Sequence, residues 1–239
     1  MAFNPASEKI GGFSENDGTI DYYSRINCLV NHDSYVLDYG AGRGGFIEDK
    51  CDYRRELRLL KGKVKHIIGC DVDEAIFLNK TVNETILMKN QTVPVPDYTF
   101  DLINSDYVLE HIDNPKFFSS EINRLLKPGG WFCARTPHKY CYISLFTKLF
   151  KNNLHAKILK FVQPNRQIID IFPTKYKLNT RKALTKYFPN YKNKTFIYRC
   201  EPSYYFNNKY VYRLEEMLSR IAFKQLVGNL FIFLQKPYT

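Results

Sequence analysis

Val36-Leu37-Asp38-Tyr39-Gly40-Ala41-Gly42-Arg43-Gly44-Gly45-Phe46 sets three glycines at alternate positions between a short apolar run and Phe46-Ile47. Tyr35 to Tyr39 reads as a buried strand, because a short apolar run bounded by turn residues suits a strand covered on both faces. The glycines read as a tight turn in which backbone approaches a ligand with no Cβ atom in the way. Asp38 then falls at the carboxyl end of the strand, where open α/β sheets bind their ligands. A strand-turn-helix junction with glycines is also an ordinary packing solution, so the turn alone does not decide for a cofactor. Gly40 to Gly44 runs G-x-G-x-G, a spacing read here as favouring another adenosine cofactor over NAD.

A second apolar run, His66-Ile67-Ile68-Gly69-Cys70-Asp71, also ends in an acid. An acid at the end of the second strand of a βαβ unit, 20 to 30 residues beyond the glycines, is placed to accept hydrogen bonds from a ribose diol. Asp71 is the candidate for that role; the plain alternative is a cap for the helix that begins near Asp73. Downstream, Phe100-Asp101-Leu102-Ile103-Asn104-Ser105 leads into Leu109-Glu110-His111, and a helical pattern over Phe117 to Leu126 stops at Lys127-Pro128-Gly129-Gly130 before the strand Trp131 to Thr136.

These ordered motifs resemble those of class I S-adenosylmethionine-dependent methyltransferases of the broad type-11 group. Asp38 to Gly44 is similar to the family's first motif and Asp71 to its second-strand acid. Phe100 to Ile103 with Leu109-Glu110-His111 resembles the fourth-strand signature, and Leu126 to Gly130 the turn before the fifth strand. Trp131 to His138, Asp170 to Tyr176 and Leu178-Asn179-Thr180 look like a bacterial subgroup of unknown acceptor. The resemblance implies an α/β, Rossmann-like fold: a mostly parallel seven-stranded sheet with helices on both faces and a basic helical insertion after the fifth strand. It also implies S-adenosylmethionine as cofactor, held by Asp38, Gly40, Ala41, Gly42, Gly44, Asp71, Val72, Asn104 and Ser105. One departure stands out. The family often has an acid after the third strand for the adenine amino group, whereas Met88-Lys89-Asn90 offers none, leaving Asn90 or backbone groups to substitute.

The 239 residues suit one domain with a substantial core. Its expected parts are an N-terminal extension and helix (1–34), a cofactor-binding core (35–136), a basic acceptor-side insertion or lid (137–193), and C-terminal strands and a helix that complete the sheet (194–239). A hydrophobic content of 44% excludes a wholly disordered chain. No apolar run approaches the ~20 residues that span a bilayer, and Met1 to Ile10 lacks the pattern of a secretion signal, so a cytoplasmic location is expected. Six cysteines without C-x-x-C spacing read as reduced thiols, with no metal site indicated.

Charge is unevenly spread. Of the net +11, residues 122–200 hold 17 Lys and Arg against one acid, Asp170, whereas residues 1–121 hold 13 against 20 acids. The positive field therefore follows the fifth strand. Over 140–162 apolar residues repeat at helical spacing with lysines interleaved. That pattern reads first as a helical lid on the sheet, and alternatively as a helix pair resting peripherally on anionic lipid at the inner face of the membrane. Further helices are expected over Asp21–Val30, Phe46–Leu60, from Glu74, from Asn114-Pro115, from Thr180 to Phe188 and over Tyr210–Ile221, with strands at Thr195–Cys200 and Leu230–Gln235.

Methyl transfer from a sulfonium is an in-line displacement, so the protein's main tasks are to align the reactants and exclude water. A hydroxyl acceptor benefits from a general base, and histidine suits that role near neutral pH. His111, after the fourth strand, ranks first and His138 second, with helix bracing and plain substrate binding as their respective alternatives. Asp170 is a third suspect, and Arg135, Lys139, Lys175, Tyr176 and Arg181 are candidate acceptor contacts. Three readings follow: O-methylation of an anionic small molecule, saccharide or lipid-linked glycan; methylation of RNA or protein; and a non-catalytic cofactor-binding subunit.

Overall fold

The protein is described by a computed structural model, which covers residues 3, 5, 9–142, 144–145, 173–202 and 205–238. Five parallel strands form the body of one sheet: β1 (Tyr35–Tyr39), β2 (His66–Asp71), β3 (Glu84–Leu87), β4 (Phe100–Asp106) and β5 (Leu126–Pro137). β8 (Gly228–Gln235) runs antiparallel beside β5, and β6 (Lys192–Asn193) and β7 (Phe196–Arg199) pair antiparallel with β8. The spatial order is β3-β2-β1-β4-β5-β8, with β6 and β7 on the far edge.

Among the described residues the sheet has eight strands, not the seven expected. The difference is one interruption. β6 and β7 continue the same register along β8, from Lys192 opposite Gln235 to Arg199 opposite Gly228. Between them Thr195 turns its N–H to the Asn193 side chain, which breaks the ladder.

The strands exist because both faces are covered. Leu37, Ile103 and Phe132 pack with Phe118 and Ile122 on one side; Val36, Leu102 and Cys133 pack with Tyr22, Ile26 and Phe231 on the other. Burying each large apolar side chain contributes about 1.5–3 kcal/mol. On the first side lies α3 (Pro115–Leu125), started by Asn114, whose side chain accepts from Phe117 N, and by proline at its first turn. On the second lies α1 (Gly18–Leu29), capped by Asp17, which buries Tyr22, Tyr23 and Ile26.

The first crossover departs from the expected helix over 46–60. It is a 3₁₀ turn, Gly45–Glu48, followed by α2 (Asp52–Arg58). Asp49 makes the break, because its carboxylate accepts from Cys51 N and from Arg54, offering the chain an alternative to helix. The second crossover is likewise a 3₁₀ turn, Glu74–Leu78. α4 (Arg181–Tyr187) starts at Thr180, which accepts from Ala183 N. α5 (Lys209–Ile221) and α6 (Lys224–Val227) connect β7 to β8. From residue 146 on, the helices read over 140–162 fall outside the described residues, as does Asp170. Among the described residues no helix is long and apolar enough to cross a membrane.

Candidate active site

The carboxyl ends of β1 and β4 open into a cavity of about 590 Å³, its mouth included, lined by Tyr23, Asp38, Gly40, Ala41, Gly44, Gly45, Phe46, Arg58, Leu60, Ile67, Asn104 and Asp106. Its turn is built from backbone. Gly40 has φ 79°, and a Cβ there would lie 2.3 Å from Val108 Cγ2. Gly44 has φ 74°, and its Cβ would lie 2.6 Å from Asn79 Oδ1. Both the left-handed conformation and the close approach exclude larger residues. Asn79 was not singled out in the sequence, yet its amide donates to the Gly42 carbonyl at 3.0 Å and holds the turn shut.

Asp71 clasps the same turn from the second strand. Its carboxylate accepts from Gly42 N at 2.9 Å and from Asp73 N at 3.0 Å. Asp71 therefore holds the chain entering the next turn but does not cap it: the cap of that 3₁₀ turn is Asp73, which accepts from Ala75 N. A carboxylate offers about four acceptor positions, so two bonds leave room for a diol. Val72, 55% exposed, sits beside it as an apolar platform. Asn90 is exposed in a left-handed turn after β3, closed by a bridge between Lys89 and Thr92.

The floor of the cavity is acidic. Tyr22 donates to Asn104 Oδ1 and Asn104 Nδ2 donates to Asp38 Oδ1, both at 2.8 Å. Burial pushes the Asp38 carboxyl up to about 6, against the lowering effect of the Asn104 hydrogen bond. At Asp106 burial pulls the same way, but Arg135 and Arg58 hold it below the ordinary carboxylate range. Strand alternation sends Asn104 and Asp106 into the cavity and Ser105 to the opposite face of the sheet, opposite Ala134, so the Ser105 side chain does not line the site.

Arg135 has a different place from the acceptor contact expected of it. Its guanidinium is buried and donates two bonds of 2.8 Å to Asp106, with a third to Thr19. It braces the acidic floor of the cavity through Asp106. Arg58 stacks on Phe46 and Tyr23 in the cavity wall, and its buried Nε has no hydrogen-bond partner among the described residues. The sequence reads Tyr23 on a helix lying over the cofactor and Arg58 on a solvated helix face, and the structure puts both in the cavity wall; Asp106 is the lining residue it does not single out, although its place at the end of the fourth strand was a signal.

On the other side of the rim, residues 173–176 run beside the turn Leu109–His111. The Glu110 carbonyl accepts from Lys175 N and Tyr176 N, and His111 Nδ1 lies 2.9 Å from the Pro173 carbonyl. A carbonyl only accepts, so in the neutral ring Nδ1 carries the hydrogen and Nε2 the lone pair. The Glu110 carboxylate is buried and accepts from Thr136, whose hydroxyl accepts from Asn179. Lys139 N donates to the Asn179 carbonyl, and Arg181 is exposed at the start of α4. His111, Lys175 and Tyr176 are thus brought together; Tyr176 is buried, and Lys175 Nζ lies 3.7 Å from Asp113. His138 is buried too. Its Nδ1 accepts from Tyr140 N, and burial pushes its pKa down, which suits a neutral structural ring better than a base on the rim.

The sequence pattern described as a methyltransferase domain matches residues 18–188, most of the chain. This protein belongs to that methyltransferase family. The match covers the glycine turn, both strand-end acids and the histidine turn. Among curated relatives, an uncharacterised methyltransferase of Schizosaccharomyces pombe is 33% identical over 27% of this chain and 26% of its own length. A protein of Mycolicibacterium smegmatis named for S-adenosylmethionine-dependent methyl transfer is 30% identical over 45% of this chain and 39% of its own. The chain thus spans well under half the length of these two relatives. A solved methyltransferase structure from Methanosarcina mazei shares the fold, with 19% identity, a TM-score of 0.56, and coverage of 90% of this chain and 98% of that one. The Rossmann-like class I methyltransferase architecture follows.

S-adenosylmethionine is the cofactor this family implies, and the cavity has the chemistry for it. It offers buried carboxylates at Asp38 and Asp106 for a cationic group, open acceptor positions on Asp71 for a diol, and an Arg58 Nε–H, without a partner among the described residues, for a carboxylate. Among the described residues no cluster of three or more His, Cys, Asp or Glu is arranged to hold a metal.

Proposed function

We propose that the protein transfers a methyl group from S-adenosylmethionine to an oxygen of an anionic small molecule or saccharide, such as a sugar acid, a nucleotide sugar or a lipid-linked glycan. The observation that carries the reading is the glycine turn clasped by Asp71 above a buried acidic floor. Bound there, the cofactor supplies an electrophilic methyl carbon. The residues do the rest: Asp38 holds a cation by charge, the turn fixes orientation, and α1 with Tyr22 and Tyr23 keeps the floor dry. The acceptor comes over the β4–β5 rim. His111, its Nδ1–H held by the Pro173 carbonyl, presents Nε2 as the base that takes the hydroxyl proton. Lys175, on the segment bonded to the histidine turn, supplies positive charge beside it, and we assign Lys139 and Arg181, which flank Asn179, to the same role toward phosphate or carboxylate groups on the acceptor.

Titration calorimetry with S-adenosylhomocysteine tests the cofactor half. Asp71→Ala weakens binding by about tenfold or more, one to two lost hydrogen bonds to a charged group; an unchanged affinity removes the ribose assignment. Radiolabelled S-adenosylmethionine offered to glycan, lipid, RNA and metabolite pools tests the acceptor half. Label entering RNA or protein overturns the acceptor class, and binding without transfer to any pool makes the protein a non-catalytic subunit.

A further inference from the structure

α5 is built inside out. Tyr210, Leu214, Met217 and Ile221 repeat at helical spacing and form one apolar stripe, yet they are 80, 53, 57 and 82% exposed. The face turned to the protein carries Tyr212, packed on Phe3 and Tyr205, together with Glu215 and Glu216, the latter bonded to Lys9. Phe223, 79% exposed, continues the stripe beyond the helix. A contiguous apolar strip of this kind, standing in water on a folded chain, marks a contact surface.

Its position and its charge say what it meets. β7 ends at Arg199 opposite Gly228, the first residue of β8, so the connection through α5 and α6 lies at the carboxyl rim of the sheet. Gly228 also accepts from His138 N at the end of β5, which places this rim beside the acceptor-side segment. Arg213 and Arg220, exposed and seven residues apart, flank one side of the stripe, and Lys224 follows it. Two copies docked antiparallel through the stripe would set Arg213 of one against Arg220 of the other, like charges on a shared edge. An apolar strip with aromatic members and a cationic border is instead the composition that settles into the headgroup layer of an anionic bilayer.

We infer that α5 is a membrane-contact helix that seats the rim of the active site on an anionic lipid surface. The inference stands apart from the cofactor reading, and it names a contact other than the 140–162 segment. Sedimentation of the full chain with phosphatidylcholine vesicles, with and without phosphatidylglycerol, tests it. Binding is expected only with phosphatidylglycerol present, weaker as salt rises, and reduced about tenfold or more by Met217→Ser with Ile221→Ser. Arg213→Gln with Arg220→Gln should lower binding to phosphatidylglycerol while leaving any residual binding to neutral vesicles unchanged. Because the stripe residues are exposed, these variants keep the wild-type melting temperature and S-adenosylhomocysteine affinity, which separates this test from that of the cofactor site. Equal binding by the serine variant places the contact elsewhere and overturns the inference. So does a wild-type dimer in light scattering that the serine variant dissociates, since a second copy then covers the stripe.

Discussion

The rim of the sheet is made twice, in opposite materials. Over β1, β2 and β4 it consists of glycines and carboxylates, and its acids and amides are engaged at short range: Asp71 with Gly42, Asn79 with Gly42, Asp38 with Asn104. Over β5, β7 and β8 it consists of lysines, arginines and exposed aromatic and aliphatic side chains on α5. The first half is a preformed cradle that spends its polar groups on its own geometry, as a site for one fixed ligand requires. The second half presents charge and apolar surface outward, as a surface for larger or variable partners does. A shared fold therefore accounts for the first half and says little about the second.

The contrast predicts very different responses to mutation. Its strongest test is the buried pair Asp106–Arg135, whose side chains are 8 and 5% exposed. Asp106→Ala leaves a guanidinium buried among Tyr22, Tyr23 and Tyr107 with its main partner gone, and should cost about 3–5 kcal/mol of stability in denaturant unfolding. Adding Arg135→Ala to that variant should cost much less than the two single changes summed, because the stranded charge disappears with it. Strict additivity of the two would show that the pair does not hold the cradle together.

What was legible in the sequence divides along the same line. β1 and β2 begin and end where their apolar runs do, because a strand covered on both faces leaves a continuous hydrophobic signature. The caps at Asn114 and Thr180 were equally readable, since capping depends on residues within one turn. Arg135 was misplaced for the opposite reason. Its partner Asp106 lies 29 residues earlier, and only the β4–β5 register sets the two side by side. Ser105 fails likewise, since its neighbours Asn104 and Asp106 reach the cavity and alternation sends it to the other face. In α5 the helix itself was legible over Tyr210–Ile221; nothing local said that its apolar stripe would point out.

A finer probe of the cradle is its response to pH. The Asp38 carboxyl is pushed up to about 6 by burial, so between pH 5 and 7.5 it passes from mostly neutral to mostly charged. Only the charged form pairs with an ammonium. Affinity for S-adenosylhomocysteine should therefore rise by up to about tenfold across that interval, one unit of effective charge-state change in binding free energy. Asp38→Asn should flatten the profile near the low-pH value. A wild-type profile that is already flat would take Asp38 out of the cation's reach and leave Asp106 as the acid that matters.

The smallest effect comes from the other half, where polar groups were left less well served. Glu215 lies on the inward face of α5; its Oε2 is buried without a partner among the described residues, and burial pushes its pKa up to about 7. The folded protein therefore holds a proton on this side chain over a range in which the unfolded chain, near 4.5, has released it. Stability from this group is complete below about pH 4.5 and is lost as pH rises through about 7. Glu215→Gln keeps the shape and removes the titration, so the variant should melt higher than wild type at pH 8 and at nearly the same temperature at pH 5. The gain is modest, because Glu215 is only half-buried and water screens the charge. An equal shift at both pH values would mean that packing rather than charge governs this face. The seating of α5 would then owe nothing to the proton on Glu215.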